Sequence, residues 1–447
     1  MTSAVGASRL QRSGRMARTN TGLREAFGAL AYGDYRRFAA SLLLTSVGAQ
    51  LVQTAIFWQI YQLTGSALQL GLTGLARAVP HMVLSLAGGV IADRSNRVRL
   101  IQAGQIGNGG LVIALALLTM SGDVQVWHLY VVTFLNAAFT ALTQPARTAL
   151  IPMLIPHEKL VNGVALNATI QQGAQIAGPA LAGILIGDLS LQASYGLNAA
   201  VYLLATLAII GIRTPVTPPP TRENPWTSLV EGLTFVKSRP VIISLLTLDL
   251  GATVFGSYRA LLPIFAERLG VGAQGFGWLS AAPGVGSLLG AAGMMSLGNM
   301  RYKGLYTIFG VLAYCVALAI LPLAPWYWLA LVASGLLGVT NAVQMVPRNT
   351  TILTVSPNAL RGRVEAFRSM LAGGGPSVGF MLSGALAAAL GPVIAVVGGA
   401  VACAALVVSV GATRRELHDP ELGQVPVQDV VPVVLPAPAE AATATKT

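Results

Sequence analysis

Gly89-Val90-Ile91-Ala92-Asp93-Arg94-Ser95-Asn96-Arg97-Val98-Arg99 sets one acid and three arginines in a short turn between apolar runs at Met82–Val90 and Leu100–Met120. These runs belong to segments 67–91 and 99–120, each long enough for a helix that crosses a bilayer. Positive charge beside a span stays on the cytoplasmic side, so Arg94, Arg97 and Arg99 mark a cytoplasmic turn. Asp93 can pair with these arginines and lies near the positive end of the following helix. Gly88, Gly89 and Ala92 are small enough to admit a neighbouring helix.

Composition carries this reading to the whole chain. Hydrophobic residues make up 54% of the 447 and charged residues only 10%, against roughly 25% charged in an average globular protein. Two or three soluble domains are excluded on that ground. The net charge of +12 could point to nucleic acid, but its placement argues otherwise. Nearly all Lys and Arg fall in the tails or in every second connection, with Arg77, Arg259 and Arg268 as exceptions. The connections at 63–66, 121–126, 187–192, 324–325 and 390–392 carry none. A basic balance distributed this way expresses topology and attraction to anionic lipid, with no nucleic-acid partner. Cys315 and Cys403 sit inside apolar runs and read as packing residues, with no disulfide framework or zinc spacing. No metal or cofactor site is expected.

The spans are expected near 38–62, 67–91, 99–120, 126–149, 163–187 and 192–212, then 241–266, 273–297, 304–324, 327–350, 364–390 and 392–412. Residues 1–37 form a basic cytoplasmic tail without a secretory signal, and Met16 is an alternative start. Residues 213–240, opening on a run of prolines, are a cytoplasmic linker between the bundles 38–212 and 241–412. Residues 413–447 read as a disordered cytoplasmic tail. The fold class is therefore all-α and polytopic: twelve transmembrane helices in two pseudo-symmetric six-helix bundles. The halves share a pattern. Gly89, Arg97 and Arg99 recur at one spacing as Gly293, Arg301 and Lys303, with Asp93 replaced by Leu297. Arg147, Pro156 and Gly183 recur as Arg348, Pro357 and Gly384.

The opening turn resembles the loop between the second and third helices of major facilitator superfamily transporters. Gly173–Gly183, with Gly178-Pro179 at its centre, resembles the G-x-x-x-G-P-x-x-G-G antiporter motif of drug-exporting facilitators, Ala174 and Ala182 replacing two glycines. Arg222-Glu223-Asn224-Pro225, Leu229, Gly232, Phe235, Pro240, Arg259 to Pro263 and Ala273-Gln274-Gly275-Phe276-Gly277 are similar to the enterobactin, macrolide and multidrug efflux subfamily. The resemblance implies export of a drug, siderophore or amphipathic metabolite, powered by protons, from the bacterial inner membrane. It also implies a substrate cavity between the halves and a latch at Gly89, Asp93, Arg94 and Arg97. One departure stands out. Many proton-coupled exporters carry a buried arginine in the fourth span, but Val131–Thr143 has none, and Arg147 reads as a loop anchor.

Charges inside spans are the candidates for coupling or substrate contact, because each is costly in hydrocarbon without a cavity or partner. Arg77 and His81 share one helix face. Asp249 and Arg259 lie in the seventh span, about 15 Å apart along a continuous axis. Asp249, the one acid well inside a span, is either a proton-loading acid or half of a static ion pair, while Arg77 and Arg259 either attract an anionic substrate or serve as its counter-charge. Glu365 and Arg368 read as gate charges or loop anchors at the start of the eleventh span. Gln50, Gln53, Asn136, Asn167, Gln171, Gln175, Asn341 and Gln344 are candidate cavity amides, each with helix packing as the competing role.

An importer of the same fold is the nearest alternative. A membrane-embedded, acyltransferase-like enzyme is the alternative of another class. None of the four histidines fits H-x-x-x-x-D or H-E-x-x-H, and no G-x-x-x-x-G-K-[ST] loop is present. The expected partners are a small molecule, protons and the lipid bilayer, with the chain working as a monomer.

Overall fold

Apolar runs punctuated by helix caps build a bundle of long rods. Ser66, Asn96 and Ser190 accept backbone N–H groups at the starts of three helices, from Gln69, Arg99 and Ala193. Gly65 and Gly122, both at positive φ, end the helices before two tight connections. The computed structural model describes residues 28–212, 233–298, 300–357, 360–420 and 422, with the side chains of 85–87, 90, 93, 94, 366 and 369 also outside it. The first half comprises α1 (Gly33–Thr64), α2 (Ala67–Arg94), α3 (Arg97–Ser121), α4 (Val126–Leu154), α5 (Leu160–Asp188) and α6 (Leu191–Ile209). The second comprises α7 (Pro240–Arg268, interrupted), α8 (Gly272–Ser296), α9 (Lys303–Leu323), α10 (Tyr327–Val355), α11 (Arg361–Leu390) and α12 (Pro392–Thr413).

The same neighbours recur in both halves. α2 packs on α4, α3 on α4 and α6, and α1 on α5 and α6; α8 packs on α10, α9 on α10 and α12, and α7 on α11 and α12. Between halves α2 lies on α11 and α5 on α8, a matched pair of crossings. Among the described residues, eight rods are long and apolar enough to cross a membrane by length and composition alone. The other four, α2, α5, α6 and α8, are diluted by Gln, Asn and Gly, and three of them form the crossings, where a helix meets protein rather than lipid. Ile106, Leu117, Phe309 and Val401 are among the large apolar side chains left exposed on the outer surface. Trp127, Trp326 and Trp328 are exposed at the arginine-poor end, where indoles suit a membrane interface.

Three details depart from expectation. α1 starts at Gly33, so the segment read as the end of a tail supplies Tyr35, which is fully buried. α7 is broken between Val254 and the turn Arg259–Leu261, although no proline lies in the gap. A Cβ on Gly256 would meet the Ala252 carbonyl oxygen at 2.2 Å, and the Tyr314 hydroxyl donates to the Gly256 carbonyl at 2.9 Å, satisfying a group freed by the break. The axial separation expected for Asp249 and Arg259 on one straight helix therefore does not apply. The chain after Thr413 makes a turn at Arg415–His418, burying Leu417 completely, and Pro420 accepts from the Tyr302 amide. Cys315 on α9 and Cys403 on α12, read as packing residues, are free, buried and part of one apolar core. The expectations for 1–27, most of the linker (213–232) and 423–447 lie outside the described residues.

Candidate functional site

The halves touch through bare backbone at the arginine-poor end. Where α2 crosses α11, a Cβ on Gly71 would lie 2.7 Å from the Gly384 Cα, and one on Gly74 only 2.1 Å from the Ser377 carbonyl oxygen. Where α5 crosses α8, a Cβ on Gly183 would lie 2.6 Å from the Gly277 Cα. Glycine alone permits that approach. Beside these crossings α1 reaches both partners through aromatics. Trp58 stacks on Phe276 of α8 at 5.7 Å, and Phe57 meets Phe380 of α11 edge-on at 5.8 Å.

Beneath this closure lies a cavity of about 790 Å³ walled by both halves, within the size range of small-molecule sites. Gln50, Gln53, Arg77, His81, Asn136 and Gln175 face it from the first half. Arg259, Asn341 and Gln344 face it from the second, with Leu288, Met345 and Phe380 as apolar wall. A smaller pocket of about 250 Å³ runs back into the first half, sharing Arg77 and adding Gln171, Arg147 and Tyr202. The cavity amides are not free: Asn136 donates to Asn108 at 3.0 Å, and Gln344 donates to Asn341 at 3.1 Å.

Asp249 is not in the cavity wall, and neither Arg77 nor Arg259 is its counter-charge. Its carboxylate pairs with Arg348 of α10 at 2.5 Å, with side chains only 15% and 5% exposed. Arg348 also donates to Gln344 at 2.9 Å, so a polar chain runs Asp249–Arg348–Gln344–Asn341 from the buried acid to the cavity. Arg368 pairs with Glu365 one turn earlier on α11 and lies within electrostatic reach of Asp249. Four charges of zero net sign thus cluster where α7, α10 and α11 meet.

Asn167 is likewise not a cavity residue. It is buried and accepts from Tyr35 at 3.0 Å, while the same hydroxyl donates to the Gly163 carbonyl at 2.8 Å, tying α1 to α5. In the opening turn, Gly89 has open space where a Cβ would project, and it is Gly88 that packs, against the Ala141 carbonyl of α4. Arg97 donates to the Ala149 carbonyl at 3.2 Å, holding α3 to α4 within one half. The side chains of Asp93 and Arg94 lie outside the described residues. Gly178 and Pro179 sit inside an unbroken α5, where a Cβ on Gly178 would meet Gln50 of α1 at 2.4 Å.

Arg147 and Gln172 are among the residues that escaped the sequence reading. Arg147, expected to anchor a loop, lines the smaller pocket, because α4 continues as helix to Leu154 and carries it inward. Gln172 lines the cavity and donates across the halves to the Gly284 carbonyl at 3.3 Å. Its place beside Gln171 was the available signal, since adjacent helical residues serve different faces.

A family profile described as "Transmembrane secretion effector" matches residues 25–431. The enterobactin exporters of Shigella boydii serotype 18 and Escherichia coli O139:H28 are each 27% identical over 361 residues, covering 80% of this chain and 86% of theirs. Among solved structures, the nucleoside transporter NupG superposes with a TM-score of 0.70 at 12% identity, over 86% of this chain and 100% of that one. A bacterial homologue of the human lysosomal transporter Spinster, inward-facing and occupied, gives 0.67 at 15%, over 87% and 98%.

Proposed function

Because this chain belongs to the transmembrane secretion effector family of the major facilitator superfamily, we propose that it is a proton-coupled exporter of a small amphipathic compound. Drugs, siderophores and secondary metabolites are the candidate cargoes, the second suggested by the name of the enterobactin exporters it resembles. The observation that carries this reading is a cavity walled by both halves beneath glycine-to-backbone crossings at the arginine-poor end. The positive-inside rule puts the arginine-rich turns and both termini in the cytoplasm. The described state is then inward-facing, and rocking about the crossings exposes the cavity to the other side.

Asp249 is the coupling acid in this scheme. Protonation removes its charge, releases Arg348 and lets the Gln344–Asn341 end of the polar chain rearrange at the cavity wall. The turn at Gly89, Asp93, Arg94 and Arg97 serves as a cytoplasmic latch for the opposite state, and Gly178-Pro179 sets the bend of α5. Cells stripped of their own pumps and challenged with a panel of macrolides, dyes and siderophores test the main reading. Protection that disappears with an uncoupler is expected; protection from no compound, or protection indifferent to the uncoupler, overturns it. In vesicles, Asp249→Asn should abolish gradient-driven efflux and preserve equilibrium exchange.

A further inference from the structure

The charge inventory of the cavity is one-sided. Arg77 enters it from α2 and Arg259 from the break in α7, with His81 one turn from Arg77, and no Asp or Glu is among the described residues that wall it. The smaller pocket adds Arg147 and again no acid. The acids that might have balanced these cations are engaged elsewhere, Asp249 by Arg348 and Glu365 by Arg368. Arg77 and Arg259 are like charges facing one cavity from opposite halves, so they repel each other across it. A guanidinium held at membrane depth is costly without a counter-charge, and the described residues lining the two pockets supply none. The remaining wall is apolar, with Leu288, Met345 and Phe380 offering a surface for a hydrophobic or aromatic frame.

Resting on the exporter reading above, we infer that the cavity takes an anionic amphiphile, whose negative group sits between Arg77 of one half and Arg259 of the other. The same contact gives the anion a second role. It cancels the repulsion between the halves, so a loaded cavity closes more readily than an empty one. A cationic amphiphile of equal size gains the apolar contacts but meets two like charges, and is rejected by several-fold or more.

The test uses the full chain, purified in detergent, with 5-carboxyfluorescein as anionic probe and ethidium as a cationic aromatic of comparable size. Fluorescence anisotropy should show carboxyfluorescein binding at least ~10-fold more tightly than ethidium, the order of one lost charge contact. Arg77→Gln and Arg259→Gln should each weaken carboxyfluorescein about 10-fold and leave ethidium unchanged or tighter. Arg77→Lys should keep affinity within a few-fold, and its melting profile separates lost binding from lost fold. Arg268→Gln, whose partner is the Pro322 carbonyl at the far end of α7, should change nothing. Equal affinity for both probes, or carboxyfluorescein binding indifferent to both Arg→Gln variants, overturns the inference. Transport in proteoliposomes under a proton gradient judges the exporter reading separately. A protein that binds the anion through both arginines but pumps nothing keeps this site and loses that reading; one that pumps ethidium does the reverse.

Discussion

Arg147 on α4 and Arg348 on α10 hold matching places in the two halves, with different surroundings. Arg348 is closed off by Asp249 at 2.5 Å. Arg147 opens onto the 250 Å³ pocket, where α1 offers Thr45, Ser46 and Gln50 and no acid. The interiors differ in the same sense. In the first half, Gln105 donates to Ser41 and Thr45, Asn198 to the Gly48 carbonyl, and Tyr195 to Gln59. In the second, Val311, Cys315 and Leu318 pack in an apolar core that also takes in Cys403 and Val407. One architecture therefore tolerates two internal chemistries: uncharged hydrogen bonds adjust by degrees, whereas an ion pair in low dielectric is either made or broken.

That contrast can be broken most forcefully at Asp249. Asp249→Ala strands a buried guanidinium and should cost about 3–5 kcal/mol of stability, read as a lower melting temperature in detergent. Asp249→Asn/Arg348→Gln together should recover part of the loss. The crossings come next, and they test whether the halves are equivalent as hinges. Gly71→Ala and Gly277→Ala each push a methyl into opposing backbone and should cost about 1–3 kcal/mol. Each should also spread the arginine-poor ends in spin-label distances, by similar amounts if the crossings are true counterparts. Tyr35→Phe removes the tie from α1 to Asn167 and Gly163 and should lower first-half stability by about 1 kcal/mol. The smallest effect belongs to Arg147→Gln, expected within about 0.5 kcal/mol of wild type; a loss as large as that of Asp249→Ala would erase the distinction between the halves.

The rods were legible because each is a long apolar run bounded by turn residues, and the matching glycines and basic residues were legible as a repeat. What the sequence hid was contact between distant segments. Asp249 and Arg348 stand on different helices far apart in the chain, and nothing local at either marks the other as partner, although the Arg147–Arg348 correspondence flagged the position. The break in α7 was hidden because the hydroxyl that satisfies its freed Gly256 carbonyl, that of Tyr314, comes from α9. Asn167 shares the helical spacing of Gln171 and Gln175, yet lies where α1 presses Tyr35 against α5, so periodicity placed it on the right face at the wrong depth. Gly89 and Gly88 differ by one residue, or about 100° around the helix, which decides which of them meets α4.

Leu417 is wholly buried, and its carbonyl oxygen would lie 2.1 Å from a Cβ on Gly304 at the foot of α9. A purification handle or fluorescent fusion joined directly after Thr413 would strip that clasp from the second bundle. Joined beyond Leu422, the same handle leaves the clasp seated, so the splice site chosen for an expression vector determines whether α9 keeps its plug.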